Sequence, residues 1–199
     1  MINDNRKVIV GSDETLKGDT FGGLIVAGFR ANDEEREQLK NIGVKDSKRI
    51  SDNVIIRIAD DLRKFFPNNF FVIELFPKQY NDLLSVEKLT PLLNRLHKEI
   101  YEKLKISDSI HVVDLYPGCI AGDVVETKAE SKYVEVAAAS ILAREVALKQ
   151  FNELSKKADF LVPKGSTHVL EALKKLNEKN LNFEEFVKIS FSNVKRFIK

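Results

Sequence analysis

Short apolar runs and helix-period patterns take turns along this chain. Residues 8–10 (VIV) and 24–29 (LIVAGF) read as strands, and Gly22-Gly23 marks a turn before the second. Asp13, Glu14 and Asp19 stand between the two runs. Adjacent residues of a strand point to opposite faces. Asp13 and Glu14 are therefore expected to serve one site only if the strand stops between them, at the Thr15-Leu16-Lys17-Gly18 turn. Residues 32–39 are polar and helix-prone, with acids in the first turn, where the helix dipole favours them. Residues 43–51 (GVKDSKRIS) form a loop in which Asp46 or Ser47 is a candidate helix cap. Ile55, Ile58, Leu62, Phe65 and Phe66 then repeat at three- and four-residue spacing, one buried helical face.

Residues 70–76 (FFVIELF) predict a strand, and Pro77 opens a short helix through Tyr80, Leu83 and Leu84. Residues 89–104 predict a longer amphipathic helix with Leu92, Leu93, Leu96, Ile100 and Leu104 inward. Residues 109–115 form a strand ending in Asp114, closed by Tyr116-Pro117-Gly118. A further strand is expected over 122–127. Residues 130–151 are the most helical stretch, and their alanines suit close approach to a sheet. PKGST, at 163–167, leads into a helix over 168–176, and residues 183–197 are predicted to be helical. Early strands followed by strand–helix alternation predict an α/β fold with a mixed sheet, in a single domain over residues 1–199. If the strands beginning near 8 and 109 are parallel neighbours, their acids share the sheet edge at which open α/β sheets bind ligands.

Composition changes this picture little. The 43% hydrophobic content suits a folded core, and a net charge of +2 neither demands nor excludes a nucleic-acid partner. After Glu185 there is no acid, but there are Lys188, Lys195, Arg196 and Lys199, a basic tail that reads as a solvated helix or a phosphate contact. The single cysteine, Cys119, excludes an intrachain disulfide framework. No apolar run approaches a membrane span, and MINDNRK lacks the apolar stretch of a signal peptide. A cytoplasmic protein is expected, acting without a membrane and as a monomer.

Four acids stand out by context: Asp13, Glu14, Asp114 and Glu130. Carboxylates drawn from several elements can hold divalent cations for phosphoryl transfer, a chemistry that asks little of His or Ser. The chain has three histidines and neither a CxxC nor an HExxH spacing. Each acid also has a plainer reading. Asp114 can open the following turn, and Thr127-x-x-Glu130 matches a capping box. His111, in an apolar strand, reads as a satisfied structural histidine. Lys48 and Lys164 read as solvated loop lysines.

Several segments, in order, resemble the type 2 ribonucleases H, and ribonuclease HIII in particular. They are GSDETLKGDTFGGLIVAG, VKDSKRIS, PKQYNDLL with LTPLLNRLHKEI, TKAESKYVEVAAASILAREV, PKGSTHVLEAL and SFSNVKRF. The resemblance runs from Lys7 onward. It implies an RNase H-like fold, a central mixed sheet flanked by helices with a helical C-terminal part. It also implies cleavage of the RNA strand of RNA/DNA hybrids, giving 5′-phosphate and 3′-hydroxyl ends, with Mg²⁺ as cofactor and Mn²⁺ as substitute. Asp13, Glu14 and Asp114 match the family's first three acids. Glu130 falls where ribonuclease HIII carries glutamate and ribonuclease HII aspartate. By the same resemblance these four are catalytic and metal-binding, and Lys17, Gly18, Ser47, Lys48 and Lys164 line the nucleic-acid groove.

Three departures are notable. Leu16 stands where the family has the first glycine of its Gly-x-Gly turn, which is expected to change the backbone facing a 2′-hydroxyl. No tyrosine follows Tyr133, although ribonuclease HII reads the RNA–DNA junction with one near its C-terminal motif. The first motif begins within ten residues of Met1, so the N-terminal substrate-binding domain usual in ribonuclease HIII is expected to be missing. Two alternatives remain: incision at single ribonucleotides in DNA, as by ribonuclease HII, or a hybrid-binding module that does not cleave.

Overall fold

The computed structural model describes residues 8–45 and 50–198. Five strands form one sheet of order β3-β2-β1-β4-β5. They are β1 (Ile9–Thr15), β2 (Leu24–Ala31), β3 (Phe70–Leu75), β4 (Ile110–Asp114) and β5 (Val124–Glu126). The helices are α1 (Asp33–Asn41), α2 (Asp52–Phe65), α3 (Pro77–Val86), α4 (Leu89–Leu104), α5 (Val134–Ala158) and α6 (Leu170–Glu178). The architecture is the mixed-sheet α/β fold that the sequence predicts.

The chain divides into two compact units. The first takes the chain up to Glu14, then Val26–Ile73 and Leu89–Glu145; the second takes Thr15–Ile25, Glu74–Lys88 and Val146–Lys199.

The first unit holds most of the sheet. β1 and β4 are parallel, with Ile9 opposite Ile110 and Ser12 opposite Val113. One residue further, Asp13 and Asp114 come level at the same sheet edge, as the two strand patterns imply. β5 continues in parallel on the other side of β4, with Asp114 opposite Glu126. The core is built from β2 (Val26, Ala27, Phe29), α2 (Ile55, Ile58, Leu62), α4 (Leu92, Leu96, Ile100) and the alanine-rich face of α5. Gly11 shows how closely α5 approaches: a Cβ there would lie 2.4 Å from the Val136 nitrogen. The small residues of α5 make that approach sterically allowed. At α1, Asn32 caps the helix and Glu35 reaches back to the Asn32 amide, a capping box.

In the second unit, Tyr80 of α3, Phe151 and Leu154 of α5, and Leu173 and Leu176 of α6 are buried, together with Phe21, Phe186 and Val187. Residues 183–197 are not the predicted helix. Only Phe183–Glu185 makes a 3-10 turn. Phe21 and Val187 instead form an antiparallel bridge. Gly22 donates to the Phe186 carbonyl and Lys188 to the Thr20 carbonyl, each at 3.0 Å. Backbone groups committed to that pairing are unavailable to a helical ladder.

Two other expectations change. β1 runs through both acids to Thr15 rather than ending between them. Leu16 then ends it at φ 67°, the left-handed region that favours glycine. Leu16 thus puts a buried side chain where the family has glycine while its backbone stays in the glycine-favouring region. The helix expected from Glu130 begins at Val134, and Glu130 itself sits in a preceding 3-10 turn, Ala129–Ser131.

Candidate active site

Because β1 continues past Asp13, its side chains alternate between two faces. Gly11 and Asp13 face α5: Gly11 abuts Glu135 and Val136, and Asp13 interacts with Ser140. Ser12 and Glu14 face α4, and both reach His97. The two neighbouring acids therefore leave the strand in opposite directions at its end. Asp13 stays close to Glu14 by accepting from the Glu14 amide at 2.8 Å.

Each of the other two acids is placed by a backbone turn. Asp114, at the end of β4, accepts from the Ala129 amide at 2.8 Å. That bond ties the strand end to the turn carrying Glu130. Lys128, just before the turn, has φ 56°. Glu130 is buried, and Ser140 donates to it at 3.3 Å. The capping-box reading of Thr127 and Glu130 is not realised, since the residue capping this turn is Lys128 and it makes no side-chain cap bond. Glu130 points instead toward the first turns of α5.

Electrostatics joins the four acids. Burial pushes the Asp13 carboxyl up to about 7, helped by the negative charges of Glu14, Glu130 and Asp114, while Ser140 opposes the shift. Asp13 therefore feels the charge of all three other acids. Among the described residues no three His, Cys, Asp or Glu side chains form a ready-made ligand cage. The donor chemistry fits a hard divalent cation, which binds through carboxylate oxygens, and a cation would relieve the repulsion that raises Asp13.

The other residues singled out in the sequence fall in the second unit or outside the described residues. Lys17, Gly18 and Lys164 lie on two loops that the fold fastens together. Gly165 donates to Asp19 Oδ1 at 2.5 Å, and Thr20 donates to the Gly165 carbonyl at 3.0 Å. Gly18 and Lys164 are exposed, and Lys17 is half-buried. Asp46, Ser47 and Lys48 lie outside the described residues.

Several buried polar residues escape sequence reasoning. Lys188 is not part of a solvated tail; it is fully buried. Its amine donates to the carbonyls of Asp19 at 2.6 Å and Gly22 at 3.0 Å, beneath the ring of Tyr80. Burial pulls that amine down to about 7, against the pull of the Asp19 charge. Ser12, His97 and Ser140 also went unmarked. A signal for His97 was present: it is a polar residue set in the apolar stripe of Leu93, Leu96 and Ile100.

A parallel β1–β4 pair carrying acids at its end, backed by an acid-bearing turn and a small-residue helix, defines an α/β nuclease of RNase H-like fold. The family model described as Ribonuclease HII matches residues 10–194. A ribonuclease HIII of Bacillus cereus is 37% identical over 212 residues, covering 94% of this chain and 67% of its own length. The structure of Bst-RNase HIII in complex with Mn²⁺ matches with a TM-score of 0.85 at 30% identity, covering 97% of this chain and 70% of that one. Ribonuclease H2 from Pyrococcus horikoshii OT3, at 21% identity and a TM-score of 0.81 over 96% of both chains, shares the fold. The chain belongs to the ribonuclease HII family and is an endonuclease of the ribonuclease H type.

Proposed function

We propose that this protein is a divalent-metal-dependent endoribonuclease that cuts the RNA strand of RNA/DNA hybrids, leaving 5′-phosphate and 3′-hydroxyl ends. Asp13, Glu14, Asp114 and Glu130 hold Mg²⁺, or Mn²⁺ in its place. Support comes from the family, from a relative whose structure holds Mn²⁺, and above all from geometry: Asp13 and Asp114 come level on neighbouring parallel strands, and Asp114 is tied through the Ala129 amide to the turn that carries Glu130. Such crowding of like charge is costly in a folded protein unless a cation offsets it.

When bound, a divalent cation neutralises charge on the scissile phosphate and makes a water acidic enough to attack it. The chain's own residues prepare the site. The Ala129 amide fixes one oxygen of Asp114. Ser140 donates to Glu130 at 3.3 Å and lies against Asp13.

The nucleic-acid groove is assigned to Lys17, Gly18, Ser47, Lys48 and Lys164. Among the described residues, Lys17, Lys164 and the Gly18 amide stand on surface loops and suit phosphate contact without base reading. Recognition of a hybrid then rests on backbone shape and 2′-hydroxyls, because an A-like major groove is hard to read. We place the enzyme in the cytoplasm, acting as a monomer.

A labelled hybrid incubated with Mg²⁺ or Mn²⁺ tests the reading. The RNA strand is cut, and its 3′ ends accept ligation to a 5′-phosphorylated acceptor. Asp13→Asn lowers the rate roughly 10³-fold, the equivalent of several kcal/mol of transition-state stabilisation. An uncut RNA strand with wild-type protein, or undiminished cutting by Asp13→Asn, overturns it. A duplex with one embedded ribonucleotide, run alongside, is expected to be a poor substrate.

A further inference from the structure

Two side chains from one late stretch of the chain, Lys188 and Asn193, direct their hydrogen bonds to the two loops that carry Lys17, Gly18 and Lys164. Lys188 Nζ donates to the Asp19 carbonyl at 2.6 Å and to the Gly22 carbonyl at 3.0 Å. Asn193 Nδ2 donates to Thr20 Oγ1 at 2.8 Å and to the Ser166 carbonyl at 3.2 Å. One amide thus bridges the loop after β1 and the loop of residues 163–167. The backbone nitrogen of Lys188 adds a bond to the Thr20 carbonyl at 3.0 Å. Lys188 and Thr20 are both fully buried.

The chemistry of each contact fixes its direction. Both partners of the Lys188 amine are carbonyl oxygens, which only accept, and the amine has a hydrogen for each whether it is charged or neutral. This clamp is therefore independent of the protonation state of Lys188. The rings of Tyr80 and Phe191 flank the amine at 5.2 and 5.5 Å. The Ser166 carbonyl likewise only accepts, so the nitrogen of the Asn193 amide faces it, and its two hydrogens match two acceptors. Three of the four contacts reach loop backbone, so they fix the path of the loops rather than one side chain. Lys17 stands just before Asp19, and Lys164 just before Ser166. The Asp19 amide donates to the Leu16 carbonyl at 3.1 Å, closing the turn that holds Lys17 and Gly18. A methionine at 188 would fill much of the same space without burying an amine. What the amine adds is a fixed place for two carbonyls of the loop.

We propose that Lys188 and Asn193 are positioning residues for hybrid binding: they set the spacing of the loops bearing Lys17 and Lys164 so that both lysines meet phosphates of one bound duplex. This rests on the assignment of those two lysines to the nucleic-acid groove. A cation held at a phosphate releases condensed counterions on binding, and a cation that swings away from it does not. Asn193 is uncharged, so a direct contact of its own with a phosphate would add affinity but no salt dependence.

Hybrid binding in Ca²⁺, titrated at several salt concentrations, tests the assignment. Asn193→Ala leaves the charge of the protein unchanged, yet is expected to weaken binding on the order of tenfold and to reduce the slope of log affinity against log salt by about one. Lys188→Met is expected to do the same. A protein that is merely destabilised loses binding-competent molecules and keeps its slope. Because replacing buried Lys188 can impair folding, the half-buried Asn193 supplies the second variant. Adding Lys164→Ala to Asn193→Ala is expected to lower the slope by less than Lys164→Ala does alone, since both changes act on one contact. An unchanged slope in either folded variant, or a full further fall in the double variant, overturns the proposal. If Lys17→Ala and Lys164→Ala leave the slope of the otherwise wild-type protein unchanged, the groove assignment itself fails, so the two failures are distinguishable.

Discussion

Asp13 and His111 pull the stability of this protein in opposite directions over the same range of pH. The folded Asp13 carboxyl titrates near 7 rather than 3.8, so between those values the native state holds a proton that the unfolded chain releases. Stability from this group is present in acid and is lost as pH rises through about 7. His111 titrates near 4 rather than 6.5, so the unfolded chain holds the extra proton and stability rises with pH across that window. The two slopes oppose each other between about 4 and 6.5. Asp13→Asn removes one of them. Without added metal, its melting temperature is expected to climb from pH 4.5 to 6.5 more steeply than that of wild type. At pH 7.5 wild type melts below the variant, and a saturating divalent cation closes the gap, at about 2–4 °C for each kcal/mol. Thermal melts at the three pH values, with and without Mg²⁺, check this.

Among the elements, β1 carries the site because its period of two assigns alternate residues to different helices. Gly11 and Asp13 belong to α5, and Ser12 and Glu14 to α4. The pattern works only if α5 lies close, which Gly11 permits. Gly11→Ala would bring a Cβ within 2.4 Å of the Val136 nitrogen and 2.6 Å of the Glu135 carbonyl carbon. Backbone atoms cannot yield as a flexible side chain does, so α5 must move. The expected cost is about 1–3 kcal/mol or somewhat more, read as a drop in melting temperature. Mn²⁺ affinity is expected to weaken along with it, because Ser140 travels with the helix while Asp13 does not. A stability loss with unchanged affinity would show that the alignment of α5 does not matter to the site.

For the whole molecule, a net charge of +2 over 199 residues gives little long-range attraction for a polyanion. Binding of a hybrid must then come from local cations, and Lys17 and Lys164 sit on loops that Asp19, Thr20 and Gly165 tie together. Each of Lys17→Ala and Lys164→Ala is expected to weaken hybrid binding and to reduce the slope of log affinity against log salt by about one. Titrations at several salt concentrations in Ca²⁺, to slow turnover, measure that slope. An unchanged slope in both variants would move the groove elsewhere.

By itself the sequence determined most of the elements and the positions of the four acids along them. Periods of two and of 3.6 depend on near neighbours, so the helix over 89–104 and the strands near 8, 70 and 109 were legible, as was the order of the four acids. The family's motifs were legible for the same reason, each being local. Only the tertiary structure decided what depends on residues distant along the chain. It pairs Ser12 with His97 and His111, which stand 85 and 99 positions away. It buries Lys188 against carbonyls 169 and 166 positions earlier, turning an apparent basic tail into an internal clamp. It converts the expected final helix into a bridge to Phe21. Desolvation and hydrogen-bond pairing are properties of surroundings that no window of sequence contains, and they are what set the proton affinity of Asp13 and the carbonyl partners of Lys188.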